Sequence, residues 1–271
     1  MTTLEAVVLG IVQGLTEFLP ISSTAHLRIV PALVGWPDPG AAFTAVIQLG
    51  SLVAVLGYFF RDFLEMTTAS LKALTDRSRP PAPAARRLLY IALGTIPIVV
   101  VGLALKHKIE GDFRALSVVA AAQIVFGLAL GVADKTARKS RGLDDLTLRD
   151  ALIIGCAQAL AVVPGASRSG VTLIAALGIG LERSAAARFS FLLGVPAIAG
   201  AGLKELKDVL HTPGLDMTAL AVGLIVTTIV SYASIAWLLK FLRTRTTIPF
   251  VVYRVALGAL IFGLLAAGRL H

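Results

Sequence analysis

The chain has 271 residues, 56% of them hydrophobic and 15% charged, with a mean hydropathy of +0.84, a balance too apolar for a soluble domain of this length and suited to a bilayer. A single cysteine, Cys156, excludes an intrachain disulfide, and no Cys/His cluster has zinc-site spacing. The net charge of +9 raises nucleic acid as a partner, but the lysines and arginines lie mainly in short loops between apolar runs, so a cytoplasmic bias explains them and no nucleic-acid binding is expected.

The N-terminal stretch carries Glu5 rather than a positive cluster, and no small-residue cleavage site follows it, so no removable signal peptide is expected. Residues 4 to 34 are apolar but are interrupted by Pro20-Ile21-Ser22-Ser23-Thr24. Each half is too short to cross a bilayer, which predicts a re-entrant helix–turn–helix. Runs of spanning length follow at 41 to 60, 88 to 105 and 115 to 133, with residues 76 to 87 reading as a flexible connection. A second interrupted region, 150 to 181, is broken by Pro164-Gly165-Ala166-Ser167-Arg168-Ser169-Gly170, and three more spans follow at 187 to 203, 217 to 239 and 250 to 268. The predicted fold is an all-α polytopic membrane protein, one membrane domain over 1–271, with six transmembrane helices plus two re-entrant helix pairs.

The two interrupted regions resemble each other. Gly10-Ile-Val-Gln13-Gly14-Leu15 aligns with Gly155-Cys-Ala-Gln158-Ala159-Leu160, Phe43 to Gly50 parallels Phe189 to Pro196, and the segment from Tyr90 echoes that from Tyr253. One re-entrant pair plus three spans forms a repeat, at about 1–134 and 149–271, and an odd number of crossings makes the second copy inverted. Loops 61 to 87, 134 to 149, 182 to 188 and 240 to 249 carry 16 Lys and Arg, the opposite side 7. The first side is therefore cytoplasmic, and the first re-entrant pair and both termini face outside.

Gly10, Gln13, Gly14 and Glu17 fall on one helical stripe. Small residues there serve close packing, but a carboxylate at membrane depth costs roughly 2.5–3.5 kcal/mol and so marks a functional position. Past Pro20, one of Ser22, Ser23 and Thr24 caps the next half-helix, whose free N–H groups attract an anion. His26, three residues beyond Ser23, is expected to face it. A carboxylate, a hydroxyl and an imidazole form a kit for phosphoryl transfer, with Ser23, His26 or a water activated by Glu17 as nucleophile. In the second turn Arg168 offers a planar fork to phosphate oxygens, with Ser167, Ser169 and Thr172 as further donors. The P-loop spacing is absent. Gln48, Gln123, Gln158 and Arg254 line the cavity or, the better reading, bond across helices. The site is expected to be composite, with Glu17 from one turn and Arg168 from the other within one substrate's reach.

The stretches Gln13-Gly-Leu-Thr-Glu17-Phe-Leu-Pro20-Ile-Ser22-Ser23-Thr-Ala-His26 and Pro164-Gly-Ala-Ser167-Arg168-Ser169-Gly170-Val-Thr172 resemble the two signatures of the undecaprenyl-diphosphate phosphatases of the bacitracin-resistance type. The resemblance implies release of inorganic phosphate from a polyprenyl diphosphate, recycling of the lipid carrier for peptidoglycan and other cell-wall polymers, and bacitracin resistance. It also implies a transporter-like inverted repeat in the bacterial plasma (inner) membrane, a site open to the periplasm, and help from a divalent cation, Mg or Ca. A homodimer is left open. Carried over, Glu17 looks like the essential acidic residue, Ser23 and His26 like candidate nucleophile or base, and Arg168 like the phosphate binder; Ser22 is read as a further phosphate contact, and if a metal is present Glu17 is the first candidate for its protein ligand. Gln13 stands where some members have a second glutamate, which weakens a two-carboxylate metal site. The alternative class is a membrane transporter or polyprenyl-phosphate flippase, since broken helices in inverted repeats also build carriers. A non-catalytic scaffold leaves Glu17, His26 and Arg168 without a purpose.

Overall fold

The computed structural model describes residues 2–76, 80–211 and 216–270. Among these the regular structure is helical, apart from one isolated bridge between Arg141 and Leu181. The helices are α1 (Thr3–Thr16), α2 (Ser23–Val34), α3 (Gly40–Tyr58), α4 (Phe60–Thr75), α5 (Pro83–Ala104), α6 (Lys106–Glu110), α7 (Leu116–Thr136), α8 (Leu148–Gln158), α9 (Arg168–Gly178), α10 (Arg183–Leu210), α11 (Met217–Leu242) and α12 (Ile248–Ala266). Five of them are long and apolar enough to cross a membrane, or six if α3 and α4 count as one bent span.

The interrupted regions fold as two pairs of short helices. α1 and α2 have 14 and 12 residues, and α8 and α9 have 11 each. At about 1.5 Å per residue none reaches across a hydrocarbon core of about 30 Å. The members of each pair pack on each other; α1 also lies along α11, and α8 along α5. α3 packs on α10, α7 on α12, and α9 on both α7 and α10. The α5–α8 contact is close enough that a Cβ on Gly155 would sit 2.4 Å from the Gly94 carbonyl oxygen, so only glycine fits there.

One stretch departs from expectation. Residues 61 to 87 read as a loop, but 60–75 form α4, bent 70° from the helix before it. Its sequence carries three faces. Met66 is buried against the protein, Phe60, Leu64, Leu71 and Leu74 are exposed, and Arg61, Glu65 and Lys72 form a polar strip. Asp62 pairs with Arg188, whose guanidinium lies 5.4 Å from the centre of the Phe59 ring and fixes the bend. Arg77, Ser78 and Arg79 of the expected flexible connection lie outside the described residues.

The ends of α7, α10 and α12 meet at Asp134, which is 3% exposed. One carboxylate oxygen accepts from Arg183 Nε at 2.6 Å, the other from the Thr247 N–H at 2.8 Å and hydroxyl at 2.9 Å. Removing the carboxylate strands these donors. Asp134→Ala should cost about 2–4 kcal/mol, read as a lower thermal midpoint of the detergent-solubilised protein; an unchanged midpoint would show that the cluster holds nothing.

Candidate active site

Both turns enter their second helix through a serine in the left-handed backbone region. Ser22 has φ +76° and accepts the Ala25 N–H at 3.4 Å; Ser167 has φ +70° and accepts the Gly170 N–H at 3.1 Å. Each is the N-cap of its helix, α2 or α9. Ser23 and Arg168 are thus the first residues of two helices, where unsatisfied N–H groups and the positive dipole end favour an anion.

The turns hold each other. The Leu19 carbonyl accepts from Ser169 Oγ at 3.1 Å, the Pro20 carbonyl from Arg254 Nη1 at 3.0 Å, and the Ile21 carbonyl from Gln123 Nε2 at 2.8 Å. Phe18, fully buried, meets Phe191 edge-to-face with ring centres 5.0 Å apart. Glu17 sits where the turns join and is 6% exposed. Its Oε2 accepts from Ser23 Oγ at 2.6 Å and Gln13 Nε2 at 2.9 Å, and its Oε1 from Arg168 Nη2 at 3.0 Å. Glu17 and Arg168, 151 positions apart, are in direct contact, as the composite reading expects.

Arg168 is steadied by the Ser190 carbonyl, 3.2 Å from Nη1. Its own carbonyl accepts from Thr172 Oγ1 at 2.8 Å, and Thr172 also bonds the Ser190 hydroxyl. Glu17, Ser22, Ser23, Ser167 and Arg168 line the end of a cavity of about 460 Å³. Ser169 and Thr172 lie behind that lining, where they brace the turn. Gln13, also behind it, donates to Ser51 Oγ at 3.3 Å, and Ser51 bonds Ser231 at 2.8 Å. From the end site the cavity runs between Ile98, Val99 and Leu103 of α5 and Ala197 and Ile198 of α10, with Gln48 on its wall. Its other end carries Lys106, Arg114 and Lys204. There Arg114 donates to Asp38 at 2.6 Å, with Arg28 3.5 Å away. Burial pushes the Asp38 carboxyl up, but hydrogen bonds from Arg114 and the Gly40 N–H, with the charges of Arg114 and Arg28, outweigh it and leave the carboxyl below its ordinary range.

His26 is not where the helical spacing suggested. α2 does begin at Ser23, yet the Ser23 hydroxyl turns to Glu17, and the imidazole takes other partners. Its Nδ1 lies 2.7 Å from the Ser22 carbonyl and its Nε2 2.6 Å from the Tyr253 hydroxyl, with the two rings nearly parallel. A proton on Nδ1 serves the carbonyl, so Nε2 of the neutral ring accepts from tyrosine. Tyr253 was visible in the sequence only as part of the repeat echo. Gln123 donates not to another helix but to the Ile21 carbonyl of the first turn, and Gln158 is fully buried. Arg254 bonds across helices, to five backbone carbonyls.

The described residues give a divalent cation little to hold. They contain no group of three or more His, Cys, Asp or Glu placed to bind one. Both Glu17 oxygens are engaged by Arg168, Ser23 and Gln13, and the neighbouring side chain that could have been a second carboxylate is the amide of Gln13. These side chains do not form a cation cage by themselves.

A helical membrane protein whose cleft ends in an arginine, a carboxylate-bound hydroxyl and two helix N-termini belongs to the class that recognises a phosphorylated, largely apolar ligand. Residues 6–260 match the family described as Bacitracin resistance protein BacA, and the chain belongs to that family. It is similar to the undecaprenyl-diphosphatase of Gloeobacter violaceus, 53% identical over 98% of this chain and 93% of that protein. It is likewise similar to those of Myxococcus xanthus, 52% identical over 100% and 91%, and of a Nocardioides species, 50% identical over 98% and 97%.

The junction of the turns can be tested without turnover. Leu19→Cys with Ser169→Cys, in a Cys156→Ala background, should be bridged in high yield by a short bifunctional thiol reagent, because Ser169 Oγ lies 3.1 Å from the Leu19 carbonyl. No bridging in folded protein would separate the two turns and dissolve the composite site.

Proposed function

We propose that the protein hydrolyses undecaprenyl diphosphate to undecaprenyl phosphate and inorganic phosphate, returning the carrier to cell-wall polymer synthesis and so opposing bacitracin. The observation that carries this reading is the Ser23 hydroxyl, held 2.6 Å from Glu17 at the N-terminus of α2 with Arg168 on the other carboxylate oxygen. It is an activated nucleophile beside a phosphate anchor. The apolar walls of α5 and α10 accommodate the start of the lipid chain.

In this mechanism Ser23 Oγ attacks the terminal phosphorus while its proton passes to Glu17. The bond from phosphorus to the bridging oxygen breaks, and the lipid monophosphate leaves with that electron pair and takes the proton from Glu17. A water, losing its proton to Glu17, then attacks the phosphoserine; inorganic phosphate departs, and the proton returns to Ser23. Arg168 and the N–H groups of α2 and α9 hold the charge that develops on the phosphoryl oxygens. His26 orients the turn through Ser22 and Tyr253. Glu17 is the carboxylate at the site that would hold a divalent cation, which would supply positive charge to the phosphoryl oxygens; both of its oxygens are engaged by Arg168, Ser23 and Gln13.

The same reading opens the site, which lies at membrane depth, to the outer side of the inner membrane. The basic end of the cavity belongs to the side with 7 loop Lys and Arg, opposite the side with 16. It also takes the two halves, about 1–134 and 149–271, as an inverted repeat of three spans and a re-entrant pair. Support comes from the matched contacts, α1 on α11 as α8 on α5, and from the matched serine caps.

The first test is phosphate release from undecaprenyl diphosphate by purified protein in detergent, with and without a chelator. Release without any gradient is expected, and chelation should raise KM; no release would favour the carrier reading. Ser23→Ala should abolish turnover, whereas Ser22→Ala, which loses a cap worth about 0.5–2 kcal/mol, should keep a measurable rate. The reverse order would reassign the nucleophile. Arg168→Lys keeps the charge but loses the fork, and kcat should fall about 100-fold or more; wild-type turnover in that variant would remove Arg168 from the phosphate site.

A further inference from the structure

Arg254 is fully buried, and among the described residues it is the largest side chain to be so. A guanidinium at membrane depth ordinarily faces a wet cavity or the bundle interior, where it pairs with a carboxylate or with backbone carbonyls. Among the described residues Arg254 makes no ion pair, and it does not line the cavity. All its bonds go to backbone carbonyls. Nη1 donates to Pro20 at 3.0 Å; Nη2 to Gly165 at 2.7 Å, Ala166 at 3.1 Å and Ala122 at 3.3 Å; and Nε to Gln123 at 3.3 Å. Pro20 belongs to the first turn, Gly165 and Ala166 to the second, and Ala122 and Gln123 to α7. Room has been made for the group. A Cβ on Gly170 would lie 2.8 Å from its Nη1, and one on Gly127 3.0 Å from its Cβ.

α12 contributes no residue to the cavity lining, yet through Arg254 it reaches the backbone of both turns at once. Two residues past Pro20 is the Ser22 cap, and one past Ala166 is the Ser167 cap. The relative position of these caps sets where Ser23 and Arg168 stand with respect to Glu17. We propose that Arg254 is a positioning residue for the phosphoryl transfer, a planar clamp that fixes the two turns in one register without touching substrate. The proposal rests on the phosphatase reading for its kinetic form only. The Nε, Nη1 and Nη2 donors of one rigid plane reach carbonyls on three segments, Nη2 being shared among three of them; a lysine ammonium, three donors on one point, cannot.

The test is steady-state kinetics on Arg254→Lys and Arg254→Ala, with folded protein quantified by size-exclusion profile and thermal midpoint. Misplacing reacting groups by about 1 Å costs on the order of 100-fold in rate. Arg254→Lys is therefore expected to lose about 100-fold in kcat per folded molecule, with KM within threefold of wild type. Methylguanidinium should restore at least tenfold of the rate lost by Arg254→Ala. The Leu19→Cys/Ser169→Cys bridge should form in lower yield when Arg254→Lys is added. A role confined to stability would lower the midpoint while leaving kcat per folded molecule, bridging yield and the response to methylguanidinium unchanged, and that result overturns the proposal. Should neither Arg254 variant fold, Gln123→Leu removes the donor to the Ile21 carbonyl and spares α12. It should lower kcat at constant KM, and wild-type kcat there overturns the clamp. If the unmodified protein releases no phosphate, the phosphatase reading fails by itself, and the clamp stands or falls on bridging yield.

Discussion

At membrane depth every backbone N–H and C=O must find a partner inside the protein, and a turn cannot do this from its own chain. Here the solution is mutual. The carbonyls of Leu19, Pro20 and Ile21 are met by Ser169, Arg254 and Gln123, none of which belongs to the pair α1 and α2. The carbonyls of Gly165 and Ala166 draw on the same Arg254. Satisfying the backbone and assembling the site are therefore one set of bonds. A polar centre in an apolar molecule is tolerable because each polar group is another's partner, and Ser23 and Arg168 of that centre line a cavity.

The contact between Glu17 and Arg168 follows the same economy. A buried ion pair gains little net stability, because desolvating two charges offsets their attraction. It does hold each member in place until something better arrives. A diphosphate carries several negative charges and more acceptor oxygens than one carboxylate, so in the proposed reaction it would compete for the Arg168 fork while Glu17 kept the Ser23 hydroxyl. Gln13 is neutral, so the centre adds no second negative charge against an anionic ligand.

Much of this was legible in the sequence. Uninterrupted apolar runs of about 20 residues have one reading in a bilayer, and the carboxylate and the arginine of the two interrupted regions, Glu17 and Arg168, pair with each other. Other features were hidden for physical reasons. α4 carries Phe60, Leu64, Leu71 and Leu74 on one stripe, but Arg61, Asp62, Glu65 and Lys72 dilute its mean hydropathy, so it read as a loop. Only its 3.6-residue period would have revealed it. The partners of Arg254 are carbonyl oxygens, which every residue has, so no side-chain pattern announces them. His26 shows the limit of helical spacing: i and i+3 share a face of the helix, but a shared face does not choose between Glu17 on one side and Tyr253 on the other.

The two capping serines carry a further consequence. Ser22 and Ser167 hold positive φ, a conformation that costs a residue with a Cβ on the order of 1–3 kcal/mol and costs glycine almost nothing. Glycine is also a tolerable N-cap, only a few tenths of a kcal/mol worse than serine. Judged by folding alone, glycine at either position would make a sturdier protein. It would also empty the end of the cavity of a hydroxyl. Random variation screened for thermal robustness should therefore drift towards glycine at these two places, and variation screened for growth under a cell-wall antibiotic should purge it, so that the same pair of codons records which demand a lineage has faced.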